Sequence, residues 1–199
     1  MIIGDTSRFA IESGMTKAYA RLSFRALGFF VIYLGGRQYG VRASDATLLA
    51  CSFGEVEDRI ARSGRHTAPF AADADAGMIA DAYRDAIYAP NQENERFFGF
   101  SQPEFRTLIR SHHLVWAPDG DEAFDDGSHV LHFDVKDRVR LIAFRSNEEG
   151  YHHNPRTLTD AWIDAVEFYH ILAQWRDAFE KEWAAAPKIS EADDGARAQ

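Results

Sequence analysis

The chain has a single cysteine, Cys51, among its 199 residues. One thiol excludes an internal disulfide and a zinc site built from several thiolates. Cys51 follows two leucines and an alanine and precedes Ser52 and Phe53. A thiol in such an apolar setting is usually inert packing. We therefore expect Cys51 to be buried and to carry no chemistry.

Long hydrophobic runs and a signal-peptide pattern are also missing. The longest nearly uncharged apolar stretch, residues 26–34, is far shorter than the roughly 20 residues that cross a bilayer. Residues 1–5 show no basic segment followed by an apolar core. We therefore expect a cytoplasmic protein without membrane contact.

Positive charge is scarce: 22 basic residues stand against 31 acidic ones, a net charge of −9. Such a surface repels phosphate backbones, so direct nucleic-acid binding is not expected. The same field attracts a basic partner and accelerates its association. An equally ordinary use of this charge is to keep the protein soluble.

Catalytic motifs are absent as well. Residues 99–103 lack the second glycine of a nucleophile elbow, and no Gly-Lys-Ser/Thr phosphate loop occurs. The eight histidines include no pair at the i, i+4 spacing of a helical metal site. We expect no catalytic residue, metal or cofactor, and we expect the histidines on the surface or in loops. A metal-dependent hydrolase assembled from distant histidines and carboxylates stays open as an alternative.

Apolar and alternating segments predict strands in the first third and the middle of the chain. Residues 9–11 form a short apolar segment before a polar bend at 12–14, and residues 20–26 alternate cleanly. A bulge is expected after Gly28. The Gly35-Gly36 pair predicts a hairpin turn.

A second hairpin is predicted over residues 129–145. A three-residue loop, 135–137, places Leu131 and Phe133 on the same face as two apolar residues of the returning strand. A two-residue loop would mix apolar with charged side chains, and a one-residue slip inverts a strand. The pattern therefore favours the three-residue loop.

Helical periodicity predicts about four helices. The first is capped by Ser44, and the third opens with a capping box at Ser101. The last and longest begins at Thr157 or Thr159 and runs to about residue 185.

The predicted fold is α+β, with a mainly antiparallel sheet packed against about four helices and a long C-terminal helix. Residues 1–186 are expected to form one domain, and residues 187–199 an acidic, mobile tail.

An acidic loop, residues 119–126, contains five carboxylates in eight positions. Its spacing fails the calcium-loop pattern, because its fifth and sixth positions are Ala123 and Phe124. It is either a solvated loop or a contact patch for a basic partner, in which aromatic residues serve as anchors. The candidate binding residues are Trp116, Asp119, Asp121, Glu122, Phe124, Asp125 and Asp126.

Two segments, residues 1–12 and 121–145, resemble the immunity protein 42 family of bacterial polymorphic toxin systems. The resemblance touches most of residues 1–185 and is weak over 65–112. It implies a non-enzymatic protein, made beside a toxin, that binds and neutralises the cognate toxin domain by stoichiometric occlusion in the cytosol. Many such toxins are basic nucleases, which would give the acidic loop a use. A generic protein-binding adaptor stays open as an alternative, as does the oligomeric state.

Overall fold

Two β-sheets and four α-helices form the described part of the computed structural model, residues 1–90, 96–147 and 150–189. The strands are β1 Ile2–Asp5, β2 Phe9–Tyr19, β3 Ala26–Leu34, β4 Arg37–Tyr39, β5 Thr47–Leu48, β6 Val115–Ala117, β7 Ser128–Val135, β8 Arg138–Arg145, β9 Thr159–Asp164 and β10 Lys188–Ile189. The helices are α1 Leu49–Ala61, α2 Ala76–Tyr88, α3 Gln102–Ser111 and α4 Ala165–Ala185.

The two sheets are mainly antiparallel. The first has the order β1-β2-β3-β4, with β5 beside β3 and the short β10 parallel to β2. The second has the order β6-β7-β8-β9. The α+β class and the long C-terminal helix are confirmed. Among the described residues, no helix is long and apolar enough to span a bilayer.

The β7–β8 hairpin is buried on both faces and separates two hydrophobic cores. One face packs with the first sheet, α1 and α4. The other face packs with α2 and α3. Its side chains in the first core are Val130, Val139, Leu141 and Ala143, and those in the second are Leu131, Phe133, Ile142 and Phe144.

The hairpin register differs from the prediction. Phe133 lies opposite Arg140 and Val135 opposite Arg138, so the loop has two residues, and the three-residue loop is wrong. The prediction assumed one apolar and one polar face. Because both faces are covered, an arginine can lie opposite a phenylalanine if its guanidinium is hydrogen-bonded to other groups of the protein.

Arg140 has those partners. Its guanidinium donates two hydrogen bonds to the Asp160 carboxylate, at 2.9 and 2.7 Å. It also donates to the carbonyl oxygens of Ala71 and Ala74, at 2.8 and 2.9 Å. These four hydrogen bonds replace the water contacts that the guanidinium loses when it is buried.

In the first sheet, β2 runs without a break through the segment where a bend was expected. Its buried polar residues are paired: Glu12 accepts from Arg42 at 2.7 Å, and Ser13 accepts from the Trp175 indole at 3.0 Å. The register shifts between Met15 and Lys17. The bulge is therefore close to Gly28, but it lies in the partner strand.

Residues 20–25, expected as a strand because they alternate, form the turn between β2 and β3. Arg25 adopts a left-handed backbone there (φ 51°). Its guanidinium lies 3.7 Å from the centre of the Phe53 ring. This stacking directs the charged side chain over the core and closes the turn.

One predicted helix start is confirmed and two are corrected. The capping box at Ser101 opens α3. Ser44 caps nothing, because β5 precedes α1. The last helix begins at Ala165, where Asp164 accepts from the Glu167 amide at 3.0 Å. The preceding residues pair with the open edge of β8 as β9, which satisfies backbone groups that a longer helix would leave unpaired.

The tail expected from residue 187 onward lies mostly outside the described residues. Its Lys188–Ile189 segment is β10, which pairs with Ala18 and Tyr19 of β2.

Candidate functional site

The acidic loop connects β6 to β7 and is held from below by aromatic side chains. Trp116 is only 1% exposed and packs against Phe9 and Phe168. Phe124 is 3% exposed and meets Phe30 edge-on, with ring centres 6.2 Å apart. Both side chains therefore lie in the core and fix the position of the loop from inside.

Asp121 fastens the loop to its neighbours. This buried carboxylate accepts hydrogen bonds from the Thr47 hydroxyl at 2.7 Å and the Ser52 hydroxyl at 2.5 Å. It also accepts from the Ala123 amide at 2.9 Å. Thr47 belongs to β5 and Ser52 to α1, so one side chain joins the loop to two elements that lie more than 60 residues away in sequence.

The other four carboxylates of the loop divide into two kinds. Asp119, Glu122 and Asp125 are exposed. Asp126 is half-buried and forms an ion pair with Arg145 at 3.0 Å. A partner approaching from solvent would therefore meet three of the loop carboxylates.

The outer side of α1 adds two carboxyl groups beside the loop, Glu55 and Asp58, and Asp58 is paired with Arg62 at 2.7 Å. Burial raises the pKa of Glu55 to about 7; Arg59 opposes the shift, and Asp119 and Asp58 add to it. We call the surface of Glu55, Asp58, Asp119, Glu122 and Asp125 the acidic face.

Cys51 lies beside the acidic face and is exposed, so the expectation that it is buried is wrong. Partial burial and the charges of Asp121 and Glu122 raise the pKa of its thiol. Such a thiol is less nucleophilic at neutral pH than an ordinary cysteine.

Beneath the acidic face lies a buried arginine, Arg59. It donates to the carbonyl oxygens of His113 and Val115, and its guanidinium carbon is 5.2 Å from the centre of the Trp116 ring. Glu55 is 3.4 Å away. Burial lowers the pKa of Arg59 to about 10, which leaves the side chain cationic at neutral pH.

Four of the eight histidines are buried: His66, His129, His132 and His153. The expectation of surface or loop histidines is wrong for His129 and His132, which lie in β7, whereas His66 and His153 lie in connecting segments. The rings of His66 and His132 are 4.3 Å apart. His132 Nδ1 also lies 3.2 Å from Arg59. Burial lowers the pKa of His132 to about 3, so the ring is neutral at physiological pH.

His129 and His153 belong to a second polar group, at the other core. His129 Nε2 lies 2.9 Å from the Ser146 hydroxyl and 3.2 Å from Arg84, and burial lowers its pKa to about 3. His153 Nδ1 lies 2.7 Å from Asp81. These rings serve as hydrogen-bonding parts of the core. Over residues 1–90, 96–147 and 150–189, no group of three or more His, Cys, Asp or Glu side chains is arranged to hold a metal ion.

A family model described as immunity protein 42 matches residues 1–178. The chain belongs to the immunity protein 42 family. The match includes both segments that carried the sequence resemblance, 1–12 and 121–145, and confirms it. As a member of this family the protein is an immunity protein, and its partner is a cognate toxin.

The fold is shared with a solved structure. The crystal structure of CdiI from Burkholderia dolosa AUO158 is similar with a TM-score of 0.53 and 14% sequence identity. The alignment covers 88% of this chain and 97% of that chain. No match was found among curated proteins.

Proposed function

We propose that the protein neutralises its cognate toxin domain in the cytoplasm by binding it one to one through the acidic face, without catalysis. The observation that carries the proposal is the anchoring of the loop by Asp121. Three buried hydrogen bonds hold the loop in one conformation while Asp119, Glu122 and Asp125 point to solvent. A charged surface that is ordered before binding loses little entropy when a partner docks.

The proposed partner is basic, and a nuclease fits this chemistry best. A nuclease needs a cationic surface to hold phosphate groups. Carboxylates at the acidic face would occupy that surface and exclude the nucleic acid. The exposed Asp119, Glu122 and Asp125 of the acidic face belong to a chain whose net charge is −9, so the long-range field has the same sign as the local one.

Blocking a toxin at low copy number requires a Kd of nanomolar or below, about −12 kcal/mol or more. Exposed charges mainly accelerate encounter, and this effect weakens with salt because the Debye length shrinks to about 8 Å at physiological ionic strength. The proposal therefore predicts fast association at low salt that slows steeply as salt is added.

The test reverses the exposed loop charges. Two triple variants are compared. The loop variant combines Asp119→Lys, Glu122→Lys and Asp125→Lys, and the matched control on α4 combines Asp177→Lys, Glu180→Lys and Glu182→Lys. Both variants change the net charge equally. Association with the toxin domain encoded beside the gene is measured by stopped flow over a range of salt.

The loop variant is expected to associate at least tenfold more slowly at low salt, with a flatter salt dependence, and the control is expected to change much less. Equal rates for the two variants would show that only the overall charge matters and would remove the acidic face from the interface.

A further inference from the structure

Helix α2 presents one exposed face with apolar and aromatic side chains. Residues 78, 81, 85 and 88 fall within about 80° of one another at 100° per helical residue. Met78 is 62% exposed and Tyr88 42%. We call Met78, Asp81, Asp85, Tyr88 and the neighbouring Tyr151 the α2 face.

Tyr151 directly precedes two residues that contact Asp81 of this face. The His153 amide donates to the Asp81 carboxylate at 2.9 Å, and His152 Nδ1 lies 3.6 Å from the same carboxylate. Tyr151 is 40% exposed. Two of the six exposed large hydrophobic side chains of the described residues, Met78 and Tyr88, therefore lie on this helix face, and a third, Tyr151, is adjacent in sequence to residues that contact it.

Tyr88 is held in place although it is exposed. The Arg84 guanidinium carbon lies 4.7 Å from its ring centre. The rings of Tyr83 and His129 meet it edge-on, at 6.1 and 5.9 Å. The two tyrosine hydroxyls are 3.4 Å apart. An aromatic ring held in this way gives contact area at little cost in conformational entropy, as interface anchors do.

The α2 face adjoins the end of the acidic loop. Tyr88 contacts His129, which lies three residues after Asp126. Ser146, hydrogen-bonded to His129, also donates its amide to the Gly127 carbonyl at 2.9 Å. Met78 to Tyr88 spans about 15 Å along the helix. An interface of about 800 Å² per partner is about 30 Å across, so it is wide enough to contain this length.

We propose that the α2 face supplies the apolar anchors of the toxin interface. This inference rests on the proposed function. Trp116 and Phe124 are buried, so the acidic loop offers charge but no aromatic contact of its own. Asp81 and Asp85 flank the anchors. The occupant that fits is therefore an apolar patch on the toxin, bordered by basic side chains and continuous with the surface that meets the acidic face.

The experiment measures dissociation of the complex with the toxin domain encoded beside the gene. The variants Tyr88→Ala, Tyr151→Ala and Met78→Ala are compared with Leu22→Ala and Val166→Ala, which truncate exposed apolar side chains elsewhere. Each tyrosine variant is expected to dissociate about tenfold faster or more, with the association rate and its salt dependence unchanged. The two controls are expected to stay within about twofold of wild type.

Thermal unfolding of each variant separates lost contact from lost fold. Met78→Lys gives a second test that removes no core contact, because it places a cation where a cationic partner docks; faster dissociation is again expected. Dissociation at the wild-type rate for Tyr88→Ala, Tyr151→Ala and Met78→Lys would overturn the inference.

The two proposals fail in different ways. Slower association of the loop-charge variant, combined with unchanged dissociation of the α2 variants, would overturn only the inference. Absence of any wild-type complex would overturn the proposed function and the inference with it. A homodimer lost on Tyr88→Ala would assign the α2 face to a second copy of the chain and would also overturn the inference.

Discussion

Replacing Asp121 with alanine is expected to be one of the most destabilising single changes outside the hydrophobic cores. Its carboxylate accepts from two buried hydroxyls, on Thr47 and Ser52, and from the Ala123 amide. Truncation leaves these three donors without their acceptor in a region that water hardly reaches.

The magnitude follows from the number of stranded donors. Each buried group left unsatisfied costs about 1–3 kcal/mol, and hydrogen bonds to a charged acceptor lie in the upper part of that range. Relaxation around the new space and some water entry reduce the sum, so we expect a loss of about 3–5 kcal/mol. At about 2–4 °C per kcal/mol for a domain of this size, Tm should fall by roughly 10 °C.

Equilibrium urea unfolding measures this loss. Asp121→Asn keeps one acceptor oxygen and should cost less, about 1–2 kcal/mol. Glu122→Ala, an exposed neighbour in the same loop, should change stability by no more than about 0.5 kcal/mol. A loss below about 1 kcal/mol for Asp121→Ala, or one equal to that of Glu122→Ala, would refute the idea that Asp121 anchors the loop.

Two further predictions concern pH. The pKa of Glu55 is raised from 4.5 to about 7, so ionising this carboxyl costs free energy in the folded protein. The stability associated with its neutral form is full below pH 4.5 and is lost as pH rises through 7. Glu55→Gln should therefore match wild type near pH 4.5 and be more stable at pH 8, by up to about 3 kcal/mol, in urea titrations; a pH-independent difference would contradict this. The pKa of His129 is lowered to about 3 from 6.5, so its contribution is present above pH 6.5 and is lost as pH falls toward 3. His129→Phe keeps an aromatic ring stacked on Phe144 but removes the titrating group. Between pH 6.5 and 3, the stability of this variant should fall less steeply than that of wild type, by about 1.4 kcal/mol per pH unit. An unchanged slope would show that His129 does not titrate as described.

Local signals in the sequence were sufficient for elements whose ends are determined by their own residues. The Ser101 capping box opens α3, and the Gly35-Gly36 turn connects β3 to β4 as predicted. Each of these signals acts over a few residues, and here no contact with a distant part of the chain overrides it, unlike the expected helix cap at Ser44.

Contacts between distant segments determine the structure of the elements that were predicted incorrectly. Residues 159–164 carry the same helical spacing as α4, yet they form β9 because β8 offers an open edge. Arg140 stands opposite Phe133 because Asp160 and two loop carbonyls neutralise it from residues 20 to 69 positions away. Neither the pairing of β9 with β8 nor the hydrogen-bond partners of Arg140 can be predicted from the neighbouring sequence.

The candidate site shows the same division. The high acidity of residues 119–126 was visible in the sequence, and Asp119, Glu122 and Asp125 are exposed as an acidic contact patch requires. The burial of Trp116 and Phe124 could not be predicted from the neighbouring residues. An aromatic residue in a polar loop is equally compatible with a core position and with an interface. The burial of His132 likewise depends on Arg59, 73 residues away.

Titration of the toxin domain encoded beside the gene with this protein tests the central claim most directly. Inhibition of the toxin should saturate near one-to-one, and the complex should survive gel filtration. With Asp119, Glu122 and Asp125 reversed to lysine, protection should weaken sharply, while the matched α4 control should protect almost as well as wild type. A toxin that stays active at excess wild-type protein, or a loop variant that protects as well as wild type, would contradict neutralisation through the acidic face.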